Sequence, residues 1–224
     1  MISRRRVVRI NRPIETPKAV RRAPRLRIGL LGGSFNPAHE GHRAISREAL
    51  KRLRLDRVWW LVSPQNPLKP TDQTTDLEQR LTAARAIADH PRVVVTDLER
   101  RIDTRYTVDT LRWLSQKCRA RFVWLIGADN MAQLPRWRRW QRLVCMVPIA
   151  VFDREPYSYV ALAGRMASAH AGSRLAERRA PVLAETQPPA WVYLRLRRHQ
   201  ASSTALRQRS TASGRRVRRK EDGP

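Results

Sequence analysis

From Arg27 onward the chain alternates short apolar runs with amphipathic stretches of helical spacing, and this alternation limits the fold more than any other feature. Ile28, Leu30 and Leu31 form a first run that stops at Gly32-Gly33, and further runs follow at 58–62 (with Trp59 and Trp60), 93–95, 122–126, 147–152 and 191–194. Helical spacing fills the intervals: 41–54 through Ile45, Ala49 and Leu53, 77–89 through Leu77, Leu81, Ala84 and Ala88, 108–118 through Leu111 and Leu114, and 160–170. A shorter helix is predicted over 137–143. Continuous apolar strands are buried on both faces, and intervening helices supply the covering layers. The pattern therefore predicts an α/β fold, a doubly wound parallel sheet with helices on both faces in a single domain. Ligands of such sheets bind beyond the carboxyl ends of the strands, where the strand order reverses. Pro64, Pro67 and Pro70 break the chain after the second strand into a loop, and 171–190 reads as an irregular connection.

The charge is as uneven as the hydropathy. Among 224 residues, 46 Lys and Arg face 19 Asp and Glu, a net charge of +27, while 42% hydrophobic residues exclude a wholly disordered polycation. Residues 1–27 hold ten basic residues against Glu15 alone, and 209–224 hold six against two acids. Neither end has hydrophobic periodicity, so 1–26 and 209–224 read as basic, disordered arms around a domain at 27–208. Such arms imply weak nucleic-acid affinity at most, and solvated flanks are the plainer reading. No run approaches the roughly 20 apolar residues of a membrane span, and the N-terminus has no secretory apolar stretch. Cys118 and Cys145 form no C-x-x-C or His/Cys cluster and read as small core residues of a reducing, cytoplasmic protein without a membrane partner.

The chemistry concentrates between the first strand and the first helix, at Gly32-Gly33-Ser34-Phe35-Asn36-Pro37-Ala38-His39-Glu40-Gly41-His42. Glycines there are expected to let the backbone turn sharply and approach a ligand. Amides at a helix start, aided by the helix dipole, favour an anion. His39 and His42, three apart, face the same side of the first turn and can donate hydrogen bonds to a polyphosphate, whose charge would favour their protonated form. Glu40 reads as solvated. The run is neither a Walker A loop nor G-x-G-x-x-G, since no Gly-Lys-Ser/Thr and no third glycine fall in register.

This G-x-F-x-P-x-H-x-G-H junction resembles the H-x-G-H nucleotidyltransferase superfamily, and Ser202-Ser203-Thr204-Ala205-Leu206-Arg207 resembles its I-S-S-T-x-I-R, with Ala201 where isoleucine is usual. Ser and Thr can cap a helix or donate to phosphate, and an arginine can clamp an oxyanion in a fork. Within the superfamily, Trp124-Leu125-Ile126-Gly127-Ala128-Asp129 with Leu134 and Trp137, Tyr106-Thr107-Val108-Asp109-Thr110-Leu111, and Asn66-Pro67-Leu68-Lys69 are similar to the nicotinate-nucleotide adenylyltransferase branch. Asn36 stands where Asp is common in that branch. The resemblance spans about 27–208 and implies a Rossmann-like sheet.

It also implies adenylyl transfer from ATP to nicotinate mononucleotide, with pyrophosphate released, in NAD biosynthesis. The implied ATP site comprises Gly33, Ser34, Phe35, His39, His42, Gly127, Asp129, Ser203, Thr204 and Arg207, with His42 and His39 catalytic. Asp129 would accept from ribose hydroxyls. The implied acceptor site comprises Asn66, Lys69, Thr107, Trp137 and Arg138, with Trp137 stacking on the pyridine ring and Thr107 and the Arg138 amide binding its carboxylate. Mg²⁺ would be bound mainly through the ATP phosphates. Trp140 reads as a core aromatic, and Asp109 as a brace for its own helix. An acid and an amide mononucleotide are not separable by spacing; phosphopantetheine and phosphocholine-like acceptors fit the motifs less well. A reading of another class is an inactive nucleotidyltransferase-like fold that binds nucleic acid, supported by the charge and opposed by two complete phosphate motifs.

Overall fold

A computed structural model describes residues 26–64 and 75–196. Seven strands form one sheet: β1 (Arg27–Gly33), β2 (Arg57–Val62), β3 (Val93–Thr96), β4 (Arg121–Gly127), β5 (Ile149–Phe152), β6 (Arg174–Leu175) and β7 (Trp191–Leu194). Every adjacent pair is parallel, and the order is β3-β2-β1-β4-β5-β7-β6. The order reverses at β1, with β2 on one side and β4 on the other, and Leu30 lies in register with both Trp59 and Trp124. The carboxyl ends of β1 and β4 therefore open side by side, at the crevice where such sheets take ligands.

The helices are α1 (Glu40–Arg52), α2 (Leu77–Ile87), α3 (Leu98–Arg101), α4 (Thr107–Lys117), α5 (Ala128–Gln133), α6 (Trp140–Val144), α7 (Ser158–Leu162) and α8 (Arg165–Ala169). Because side chains alternate along a strand, neighbouring residues enter different cores. Ile28, Leu30, Trp59, Leu61, Trp124 and Ile126 pack with Leu111 and Leu114 of α4 and Met131 of α5. Leu31, Val58, Trp60, Val62, Val123 and Leu125 pack with Ala49 and Leu50 of α1 and Leu81 and Ala84 of α2. The adjacent tryptophans of β2 thus serve opposite layers, and the fold is doubly wound as the sequence predicts. None of the helices, among the described residues, is long and apolar enough to cross a membrane.

Departures from the sequence pattern are local. The helix predicted over 160–170 is two short helices, α7 and α8, with Gly164 capping the second in an extended conformation. The connection over 171–190 carries β6 and a 3-10 helix, Glu177–Glu185, whose Ala180, Leu183 and Ala184 are buried. Pro181 sits inside this segment, which is why it reads as an irregular connection. The helices α3 and α5, of four and six residues, are too short to show periodicity. α6 begins at Trp140, later than predicted, because Arg139 is left-handed with φ 52°. Cys118 is buried as expected, whereas Cys145 is exposed and is not a core residue.

The glycines before the first turn act by absence of bulk. No glycine among the described residues has positive φ, so the sharp turn expected of Gly32-Gly33 falls instead to Phe35, at φ 47°. A Cβ on Gly32 would come within 2.7 Å of the Trp124 ring tip. That ring is fixed in the core and cannot swing away. Gly32→Ala is expected to lower stability by about 1–3 kcal/mol through overpacking, measured by urea unfolding. Trp124→Leu should abolish most of that penalty in the double variant; an undiminished penalty would place its origin elsewhere.

Candidate active site

The β1–α1 junction is built on a reciprocal cap. His39 is the N-cap of α1, in extended conformation, and its Nδ1 accepts from the Gly41 amide at 3.0 Å. In return the His39 amide donates to Nδ1 of His42 at 3.2 Å. This is a capping box with imidazoles in the places usually taken by Ser/Thr and Glu, and it accounts for the three-residue spacing. Both Nδ1 atoms are acceptors, so a neutral ring carries its proton on Nε2. Each histidine then presents one N–H of fixed direction.

The ring pair is held from behind. Phe35 is 1% exposed and lies 4.6 Å from the His42 ring and 5.1 Å from the Trp60 ring, nearly parallel to the latter. Its left-handed backbone costs stability that burial of the ring offsets. Trp60 Nε1 donates to Ser46 Oγ at 2.7 Å, and Ser46 Oγ donates to the His42 carbonyl at 2.8 Å. The His39 and His42 centroids are 3.9 Å apart. Phe35, predicted to bind ATP, therefore commits its ring to the core, and Ser34 turns its carbonyl to Arg80 at 2.7 Å.

β4 and β5 supply the opposite wall. Asp129, in the first turn of α5, accepts from Arg154 Nη1 at 2.9 Å through Oδ2, while its buried Oδ1 has no hydrogen-bond partner. A Cβ on Gly127 would lie 2.4 Å from that Oδ1. Glycine there leaves the carboxylate its place. Arg154 follows β5 and its charge reaches both histidines. Local pattern does not single it out; its position just past a strand's carboxyl end in a parallel sheet is the available signal.

Burial of the imidazoles, followed by the Arg154 charge, lowers His39 to about 4. Burial, the neighbouring His39 and Arg154 lower His42 well below its ordinary value. Both rings are thus neutral in the unliganded protein at pH 7, and the protonated form expected from the sequence requires the added negative charge of a ligand.

A second cluster lies at the start of α4. Arg138 stacks its guanidinium 4.6 Å over the Tyr106 ring and pairs with Asp109 at 3.3 Å. Asp109, in the first turn of α4 where an acid favours the helix start, also holds Arg138. Thr107 opens α4, whose first-turn amides project from the helix end. Trp137 is half-buried and meets the Trp124 ring edge-on at 6.4 Å, while Trp140 is 6% exposed, a core aromatic as read. Asn66, Lys69, Ser203, Thr204 and Arg207, and the two basic arms, lie outside the described residues.

A pH dependence follows from the neutral His39. Between pH 4 and 6.5 the unfolded chain binds a proton that the folded His39 refuses, so its contribution is complete above pH 6.5 and is lost on acidification through that window. His39→Asn keeps a cap acceptor and removes the titration. Its urea midpoint should fall less steeply than wild type between pH 6.5 and 4.5; parallel slopes would show that His39 is not held neutral.

The cytidylyltransferase-like family model matches residues 30–209. "Probable nicotinate-nucleotide adenylyltransferase" of a Methylorubrum extorquens strain is 51% identical over 82% of this chain and 100% of its own length. The protein of the same name from a Bradyrhizobium species is 54% identical over 81% and 95%. Among solved structures, Plasmodium falciparum nicotinic acid mononucleotide adenylyltransferase complexed with NaAD matches with TM-score 0.61 and 15% identity, over 82% of this chain and 83% of that one, a likeness of fold. Relatives 51% and 54% identical to this chain, matched over 100% and 95% of their own length, place the chain in the nicotinate-nucleotide adenylyltransferase family.

Proposed function

We propose that this chain transfers AMP from ATP to nicotinate mononucleotide, giving nicotinate adenine dinucleotide and pyrophosphate. The observation that carries the reading is the pair of neutral imidazoles, each with Nε2 as its donor, at the point where the strand order reverses. The names of the relatives, at 51% and 54% identity, support the acid mononucleotide as acceptor.

An oxygen of the mononucleotide phosphate attacks the α-phosphorus of ATP, a new P–O bond forms, and the bond to the bridging oxygen of pyrophosphate breaks. The nucleophile is already an anion and pyrophosphate is a competent leaving group, so the chain needs neither a nucleophilic side chain nor a strong base. Its work is alignment and neutralisation of charge developing on the phosphoryl oxygens. His42 donates to α-phosphate oxygens, and His39 to the adjoining phosphates. Asp129 accepts a ribose hydroxyl through its unpartnered Oδ1. The N–H donors at this edge suit anions and the Asp129 carboxylate there is paired with Arg154, so Mg²⁺ would be held mainly through the ATP phosphates. Ser203, Thr204 and Arg207 complete the triphosphate site in this reading, and Asn66 and Lys69 the mononucleotide phosphate site. Trp137 stacks on the pyridine, with Thr107 and Arg138 at its carboxylate.

Donation that strengthens in the transition state predicts a split in kinetics. His42→Ala should lower kcat by about 10²- to 10³-fold with a much smaller change in ATP affinity. Ordinary turnover in the folded variant would remove His42 from catalysis. Acceptor identity is tested by initial rates with nicotinate and nicotinamide mononucleotides side by side. The acid should be preferred; equal or reversed rates would transfer the assignment to the amide.

A further inference from the structure

Two buried ionisable side chains outside the proposed substrate contacts meet at Ser63, where β2 ends. Arg80 of α2 is 3% exposed and spends its guanidinium on four backbone carbonyls: Thr75 through Nε at 2.8 Å, Ser34 and Ser63 through Nη1 at 2.7 Å each, and Pro64 through Nη2 at 2.9 Å. These carbonyls belong to the exit of β1, the exit of β2 and the approach to α2. Glu99 of α3 is 7% exposed; its carboxyl is hydrogen-bonded to the Ser63 side chain and accepts from Thr110 Oγ1 at 3.2 Å. Thr110 in turn lies 2.9 Å from Thr104 Oγ1 and 3.4 Å from the Tyr106 carbonyl. Burial pushes Glu99 up to about 7, the mark of a carboxyl without a close cation.

We propose that Arg80 and Glu99, joined through Ser63, are positioning residues that hold the phosphate loop at the β1 exit in register with the first turn of α4. The proposal rests on the adenylyl-transfer reading, in which the β1 exit holds ATP and the start of α4 holds the acceptor. A continuous run of contacts leads from Ser34 through Arg80, Ser63, Glu99 and Thr110 to Tyr106, the residue before Thr107. Burying a guanidinium and a carboxyl is costly, and apolar side chains would serve packing alone better. A planar fork with several donors fixes the spacing between the segments it joins, which an ammonium on a flexible stem does not. In-line transfer requires the attacking oxygen and the α-phosphorus within about 3–3.5 Å of each other, and an error near 1 Å costs roughly 10²-fold in rate. A brace between the two substrate-holding segments therefore acts on turnover more than on either affinity.

The test uses the full chain with Arg80→Lys, Glu99→Ala, Glu99→Gln and the Arg80→Lys/Glu99→Ala double variant. For each, kcat and the KM of ATP and of the mononucleotide are measured, and rates are referred to the folded fraction from circular dichroism. Arg80→Lys and Glu99→Ala should each lower kcat by roughly 30- to 100-fold, with both KM values within about 3-fold of wild type. Glu99→Gln, which keeps shape and hydrogen bonds, should stay within about 3-fold in kcat. Because both residues act on one register, the double variant should fall at most about 3-fold below the poorer single. Losses that multiply, that appear in one KM alone, or that vanish when referred to folded protein would make Arg80 and Glu99 independent or purely stabilising, and would overturn the proposal. A wild-type chain inactive with both acid and amide mononucleotides would overturn the adenylyl-transfer reading and the proposal with it; an active wild type with any of those losses overturns the proposal alone.

Discussion

The reciprocal cap between His39 and His42 is the interaction on which the rest of the site depends. A helix start needs acceptors for its first amides, and here the two acceptors are the Nδ1 atoms of the rings that face the ligand side. One pair of hydrogen bonds therefore starts α1, fixes the direction of both imidazoles and selects their tautomer. Phe35 and Trp60 then limit how far the rings can move. Burial makes the rings neutral, so the unliganded site holds N–H donors without the cost of two confined charges.

The sheet turns this local device into a site by placing β1 between β2 and β4. The imidazole donors at the β1 exit, the Asp129–Arg154 pair from the exits of β4 and β5, and the Tyr106–Arg138–Asp109 cluster at α4 lie at one edge of the sheet although they are far apart in sequence. The small residues at the junctions matter as space: Gly32 admits the Trp124 ring and Gly127 admits the Asp129 carboxylate. Trp124, meeting Trp137 edge-on, lies on β4, the strand that leads into α5 and Asp129.

Much of this is legible because it is written in short-range pattern. Apolar runs locate six of the seven strands, and the H-x-G-H spacing marks a helix start whose cap the structure explains. The two-residue β6 is too short to leave a hydrophobic signature, and Pro181 inside the segment masks the 3-10 helix at 177–185. The burial of the Phe35 ring is not legible either, since motif position does not reveal where a ring points. Arg80, Glu99 and Arg154 stay hidden for a different reason. Their roles arise from partners 46, 11 and 25 residues away in the chain, which only the fold brings into range.

In the unliganded protein the cap selects the tautomer of the two imidazoles and burial keeps them neutral. Long-range proton–nitrogen correlation spectra of the nitrogen-15-labelled full chain, unliganded at pH 7, report that state directly. Both His39 and His42 should appear as neutral rings with the proton on Nε2 and Nδ1 unprotonated. A proton on Nδ1 of either ring, or an imidazolium at that pH, would contradict the account.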